Sequence, residues 1–353
     1  MSDREARSAE FLSLPELEEL ARECMPAMAY EYVASGAADE ITIKWNREAY
    51  DRISLRQRVL VGVEQPLTAL TLFGATLPFP FLLAPVGYQK VLHPDGEIAT
   101  AKGAGAAGAA WVVSSASNTS LEEIAEAASA PLWFQLYLQS DREFTKDVVD
   151  RAGAAGYRAL CLTVDTPVLG ARNRQTRSRF QLPHGVDTPH LSDIRKPGRS
   201  ILDPTRFVPS WKDVEWIRSM TKLPLVLKGV LNPDDATRAV ACGADGLIVS
   251  NHGGRNLDTL QASFDLLPDI VGAVDSRVPV LMDGGIRRGT DILKSLARGA
   301  TAVLIGRPYC YALALRGATG VQRTIEILRT ELEMAMILTG RNSIAAIDGS
   351  LIA

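Results

Sequence analysis

Long apolar runs are missing from this chain: none approaches the ~18 residues of a membrane-spanning helix. Cysteine is scarce and scattered. Cys24, Cys161, Cys242 and Cys310 form no CxxC pair, which argues against a disulfide framework or a zinc site and for a reducing compartment. No metal is expected. Neither sign of charge is in excess: 38 Lys and Arg face 41 Asp and Glu, for a formal net charge of -3. No basic cluster of the kind that follows a phosphate backbone occurs, so no nucleic-acid partner is expected. The densest basic stretch, RNRQTRSR at 172–179, is short. The opening MSDREARSAEF lacks the apolar core of a signal peptide and the closing SLIA is not a peroxisomal address, so the expected location is the cytoplasm. What remains is ordinary globular composition, 46% hydrophobic and 22% charged, over 353 residues. That length suits one large α/β barrel or two ordinary domains.

The stretch from 14 to 35 reads as a helix, with Ser13 as cap, Glu16 three residues on and Gly36 as stop. Mixed signals follow to about 77, with β-like pieces RISLRQRVL and LTALTLFG, and predict an extension covering one end of the main body. From Pro78 the rhythm changes. Eight apolar runs alternate with helical patterns: FPFLLAP (79–85), AAWVVSS (109–115), LWFQLYL (132–138), RALCLTVD (158–165), PLVLKGV (224–230), GLIVSNH (246–252), PVLMDGG (279–285) and TAVLIGRP (301–308). Eight strand–helix units predict a (β/α)8 TIM barrel, as a single domain over 1–353 with a core of about 78–320. An open doubly wound sheet requires a GxGxxG fingerprint after its first strand, where this chain has APVGYQK. A final helical region from Ala312 to Gly340 carries an apolar stripe. More than 40 aperiodic residues separate the fourth run from SWKDVEWI, and at a catalytic mouth such a connection can act as a lid.

Barrel chemistry sits at the C-terminal ends of strands. Those ends carry Ser114, Gln135, Tyr137, Thr163, Asp165, Lys228, Ser250, His252, Asp283 and Arg307. In VLMDGGIRRGTD and VLIGRP, paired glycines with Arg287 and Arg307 are suited to a phosphate, although two ordinary tight turns read the same way. Lys228 can form a Schiff base, pair with an acid or stabilise an anion. In VSNHGGRNLD (249–258), His252 supplies a base near neutral pH and Arg255 a fork for a carboxylate.

This decamer resembles the active-site signature of the FMN-dependent 2-hydroxy-acid oxidases and dehydrogenases. The resemblance runs from about residue 14 to 350, through YEYVASGA, FQLY, LTVDTPVLGAR, LKGV, SNHGGRNLD, DGGIRRGTD and IGRP in order. It implies FMN across the barrel mouth. The flavin ring is then expected against Pro85, Val86, Gly87, Ser114, Gln135, Tyr137, Thr163 and Lys228. Ser250, Asp283, Gly284, Gly285, Arg287, Gly306 and Arg307 are expected at the ribityl chain and phosphate. It further implies a substrate carboxylate held by Arg172 and Arg255 with the hydroxyl of Tyr32, His252 as the base, Asp165 as its partner, and Tyr137 on the substrate oxygen. The implied reaction takes two electrons and two protons from a 2-hydroxy acid, by carbanion or hydride, with the electrons passing to flavin N5. Oxygen or another acceptor then reoxidises the flavin, and the implied assembly is a tetramer.

Three departures bear on substrate. NLD at 256–258 replaces the commoner QLD and is expected to be mild; Ala116 stands where short-substrate members carry tryptophan; Gly87 stands where oxidases often have alanine. The last two predict a roomier pocket, for aromatic or longer aliphatic 2-hydroxy acids, with Tyr88 able to refill it. The competing readings are a quinone-coupled dehydrogenase or lactate-type monooxygenase of the same family, an isopentenyl diphosphate isomerase-like FMN barrel, and a non-catalytic barrel that binds a phosphorylated ligand.

Overall fold

Period-two alternation along eight short strands builds the body of the molecule. The computed structural model describes residues 11–192 and 207–353. Strands β3 (Phe81–Leu83), β4 (Trp111–Ser114), β5 (Leu132–Leu136), β6 (Leu160–Thr163), β7 (Leu225–Lys228), β8 (Gly246–Val249), β9 (Val280–Asp283) and β10 (Ala302–Ile305) form one closed barrel, and every pairing in it is parallel. Each of the eight predicted apolar runs supplies one strand, and each predicted intervening helix is present.

Two hydrophobic clusters follow from the alternation. Residues such as Leu82, Val112, Trp133, Cys161, Val226, Ile248, Leu281 and Leu304 fill the barrel interior, while their neighbours Leu83, Val113, Phe134, Leu162, Leu227, Val249, Met282 and Val303 pack outward against the helices. Side chains two apart share a face. One step beyond the interior layer the inward positions are therefore Ser114, Gln135, Thr163, Lys228, Ser250 and Asp283. The hydrophobic period itself places a polar layer at the barrel mouth.

The segment before the barrel differs from its sequence reading in three ways. Residues 14–35 form two helices, α1 (Leu14–Cys24) and α2 (Ala27–Ala34), because Pro26 has no N–H to donate and Met25 before it is held extended at ψ 148°. Ser13 does cap α1, accepting from the Glu16 amide. Second, α3 (Ile41–Asp51) lies in the stretch of mixed signals, ahead of the two β-like pieces, where no helix was read. Its β-branched start and lack of a local side-chain cap hide it. The cap comes from 216 residues away: the Asp258 carboxylate accepts from the amides of Asp39, Ile41 and Thr42 at 3.1, 3.3 and 2.8 Å. Third, the extension covers both ends of the barrel. The hairpin β1 (Leu70–Leu72) and β2 (Ala75–Leu77) turns at Phe73 and Gly74, both at positive φ, and plugs the bottom, with Phe73 against Trp133 at 5.3 Å. Helices α2 and α3 pack at the mouth instead.

Among the described residues no helix is long and apolar enough to cross a membrane. The predicted C-terminal helical region begins earlier than read, at Arg307, and runs to Leu338 with a kink at Gly317. The long connection after β6 is only partly described, since residues 193–206 lie outside the described residues. Its described parts supply Thr166, Arg172, Phe180, Leu191, Phe207 and Pro209 to the cavity at the mouth.

Candidate active site

One cavity of about 650 Å³ opens at the C-terminal ends of the strands, and the predicted site residues converge on it. Its wall includes Tyr32, Pro85, Val86, Gly87, Ser114, Tyr137, Thr163, Arg172, Lys228, His252, Arg255, Asp283, Gly284, Gly285, Arg287, Gly306 and Arg307. Three predicted residues stand just behind the wall. Asp165 backs His252, Ser250 backs both Lys228 and His252, and Gln135 lies beneath Ser114.

The loop after β8 makes the chemistry local. His252, Gly253 and Gly254 are all left-handed, with φ of 56°, 63° and 74°. A side chain at 254 would press on the backbone of Ile43 in α3, so glycine is required there. This tight coil lets His252 and Arg255, three residues apart, face the same cavity. Paired amides hold the coil: Asn46 and Asn251 exchange hydrogen bonds of 2.9 and 2.8 Å, tying α3 to the loop.

His252 Nδ1 lies 3.0 and 3.2 Å from the two Asp165 oxygens, which leaves Nε2 as the ring nitrogen to take a proton. Burial pushes the imidazole below its ordinary pKa; Asp165 opposes this, and Lys228 and Arg172 add to it. Burial works the other way on Asp165, but His252 and Lys228 outweigh it and hold the carboxyl at about 2. At neutral pH the pair is a neutral base beside an ionised carboxylate.

Lys228 donates to Ser250 Oγ at 2.8 Å and pairs with Asp283 Oδ2 at 3.1 Å. Burial disfavours its charge, yet Asp283 and Asp165 raise its proton affinity, so it stays an ammonium. Nearby polar atoms are left unsatisfied. Gln135 Oε1 accepts from Ser114 and Ser115, but Gln135 Nε2 is buried without a partner, as is Asp283 Oδ1. Buried polar groups of this kind are normally paired. An orphan donor and an orphan acceptor beside a buried cation fit the edge of an isoalloxazine and a hydroxylated ribityl chain.

The far end fits a phosphate. Gly284 and Gly285 take φ of 106° and 79°, and the helix that starts at Arg307 directs its N-terminus at the cavity wall. Arg287 pairs with Glu18 of α1 at 2.9 Å. A Cβ at 285 would be driven into the Asn46 carbonyl oxygen, at a position already at positive φ. Gly285→Ala is therefore expected to destabilise by about 3 kcal/mol and to loosen FMN. Thermal unfolding with and without added FMN checks this; an unchanged Tm contradicts it.

Arg255 donates to the carbonyls of Tyr32 and Ser35, both at 2.8 Å, and its guanidinium stands 5.5 Å from the Tyr32 ring. Desolvation and then the cations Arg172 and Arg307 weaken its hold on its proton, which is the signature of a place that favours an anion. Arg172 Nε donates to the Arg255 carbonyl at 3.2 Å. Tyr32 is in the cavity as predicted, but its hydroxyl donates to the Gly87 carbonyl at 2.9 Å, so serving a carboxylate requires it to rotate. Tyr137 is pushed up to about 12, mainly by burial and then by Asp165, and stays a hydroxyl donor.

Sequence reasoning missed Thr166, Phe180, Leu191 and Phe207, which sit in an aperiodic connection where no period marks an inward face. Asn256, read as a mild replacement, is bonded to Asp165. Its place one residue after Arg255 was the available signal.

A parallel barrel with a neutral imidazole beside an ionised carboxylate, clustered guanidinium groups and a buried lysine next to unpaired polar atoms is the framework of a flavoenzyme that oxidises hydroxy acids. The chain belongs to the FMN-dependent dehydrogenase family, whose model matches residues 21–353. It is 48% identical to an L-lactate oxidase of Nostoc sp. (strain PCC 7120 / SAG 25.82 / UTEX 2576), over 97% of this chain and 98% of the relative. It is 43% identical to a peroxisomal (S)-2-hydroxy-acid oxidase of Oryza sativa subsp. japonica, over 96% and 95%. A crystal structure of mandelate oxidase superposes with a TM-score of 0.90 at 40% identity, covering 98% of each chain.

Proposed function

We propose that this chain oxidises a 2-hydroxy acid bearing an apolar side chain to the 2-oxo acid, with oxygen as the final acceptor. The observation that carries the reading is the convergence of His252, Arg172, Arg255 and Lys228 on one cavity. FMN, when bound, supplies the two-electron sink. Arg172 and Arg255 take the substrate carboxylate, which fixes the hydroxyl-bearing carbon relative to His252. His252 Nε2 accepts the proton the substrate releases, and Asp165 stabilises the imidazolium that results. Tyr137 donates to the substrate oxygen. Lys228 holds a positive charge where negative charge develops, and Ser114, Gln135, Asp283, Gly285 and Arg287 hold the cofactor. Oxygen as acceptor is supported by the relatives, which are named as oxidases.

Side-chain preference rests on the wall beyond His252. Ala116, Tyr88, Phe180, Leu191 and Phe207 make it apolar. Gly87 plays a different part from the one read in the sequence. A Cβ there would meet the Ala116 Cβ at 2.5 Å, so glycine lets two loops approach and frees no room for substrate. Room comes from Ala116 alone, and Tyr88 takes some of it, packing 5.9 Å from Phe180. One methylene in such a pocket is worth roughly tenfold or more in kcat/KM. With glycolate, lactate, 2-hydroxyoctanoate and mandelate, kcat/KM is expected to be lowest for glycolate by at least about tenfold, with hydrogen peroxide formed one for one. A preference for glycolate contradicts the pocket reading; turnover without peroxide contradicts the acceptor.

A further inference from the structure

Asn256 does not reach the cavity, yet it touches both halves of the catalytic arrangement. Its side-chain Nδ2 donates to the Asp165 carbonyl at 3.0 Å, to Asp165 Oδ1 at 3.2 Å and to Thr166 Oγ1 at 2.8 Å. Its Oδ1 accepts from Arg172 Nη2 at 3.4 Å. Thr166 adds a further donor, its hydroxyl bonding Asp165 Oδ1 at 2.8 Å. One primary amide therefore spans the carboxylate that orients the base and the guanidinium that faces the substrate.

We propose that Asn256 is a positioning residue that couples the grip of Arg172 on the substrate carboxylate to the proton affinity of His252. The proposal rests on the His252–Asp165 base read above. Asp165 can raise the basicity of His252 only as far as its own charge is free to do so. Every donor it accepts from elsewhere spends part of that charge. Oδ1 receives Asn256 and Thr166 besides His252, whereas Oδ2 faces His252 alone at 3.2 Å. The two amide and hydroxyl donors thus hold His252 near neutrality. The other charged groups acting on His252 are Lys228 from β7 and Arg172 from the connection after β6, with Asp283 paired to Lys228 behind them and Arg255 following on its own loop. Lys228 and Arg172 both disfavour imidazolium. Losing the Asn256 acceptor frees Arg172 to swing away, which moves His252 in the same direction as losing the donor.

The sign is fixed by the chemistry. Without Asn256 the Asp165 carboxylate is more basic, imidazolium is better stabilised, and a higher pH is needed to free the base. In Asn256→Leu the acidic limb of kcat/KM is expected to move up by roughly one pH unit, and oxalate, as a carboxylate probe, to bind about tenfold more weakly. Asn256→Asp places a second carboxyl beside Asp165 and moves the limb further; Asn256→Gln keeps both groups and restores it. The same order is expected in the pH titration of His252 by NMR of 15N-histidine-labelled holoenzyme, its resonance identified by its loss in His252→Asn. Uniformly slower turnover with an unmoved limb and an unmoved His252 titration overturns the proposal and leaves Asn256 a loop staple. A His252 titration that shifts with the variants while the rate shows no such limb removes the base assignment instead, and leaves the action of Asn256 on His252 standing.

Discussion

His252→Asn is expected to retain FMN and to slow anaerobic flavin reduction by about 10⁴-fold. Asparagine is the sharper replacement because residue 252 sits at φ 56°, a conformation asparagine tolerates and alanine resists. It keeps a polar side chain beside Asp165 but has no nitrogen that takes a proton near neutrality. The residues proposed to hold the cofactor do not depend on it. Lys228 is anchored by Ser250 and Asp283, and Gln135 by Ser114 and Ser115. In the unmodified enzyme the reduction rate should be flat above neutral pH and fall on the acid side. Burial places the His252 transition below the ordinary histidine value, so protonation removes the base only there. Stopped-flow reduction across pH checks both parts. Rapid reduction in the asparagine variant contradicts the assignment of the base.

Arg255→Lys should cost about 10³-fold in kcat/KM, mostly through KM. Lysine keeps the charge but loses the planar fork, and Arg255 already spends one nitrogen on the carbonyls of Tyr32 and Ser35. The compact ammonium cannot satisfy those carbonyls and a carboxylate together. Because the same bonds close the end of α2, the variant is also expected to melt lower. The discriminating readout is the preference for a 2-hydroxy acid over its amide, which should collapse toward equality if Arg255 grips the carboxylate. A retained preference, with lower Tm alone, assigns Arg255 to scaffolding.

Much of this is legible in the sequence. The barrel could be read because each strand is short, buried on both faces and followed by a helix with its own period. The polar layer could be read because the same alternation that buries Val112, Trp133 and Leu281 turns Ser114, Gln135 and Asp283 inward at the next step. What escaped depended on distant partners. Helix α3 has no local cap, and the Asp258 carboxylate that caps it is a loop residue with no visible link to Thr42. Phe180 and Leu191 carry no periodic mark, although both line the cavity. Gly87 was read as missing bulk, but its glycine answers to Ala116 across a loop contact that only the fold creates. Asn256 looks like a shortened glutamine; its meaning lies in the bonds it makes to Asp165 and to Arg172 from opposite ends of one amide.

The most direct test mixes the purified FMN-loaded protein anaerobically with an (S)-2-hydroxy acid and follows the visible flavin absorbance. The proposed arrangement, a base and two guanidinium groups acting at one bound flavin, predicts complete bleaching by the hydroxy acid, and none by the matching acid that lacks the hydroxyl. A flavin that stays oxidised with every 2-hydroxy acid offered, in protein that holds FMN stoichiometrically, contradicts the account.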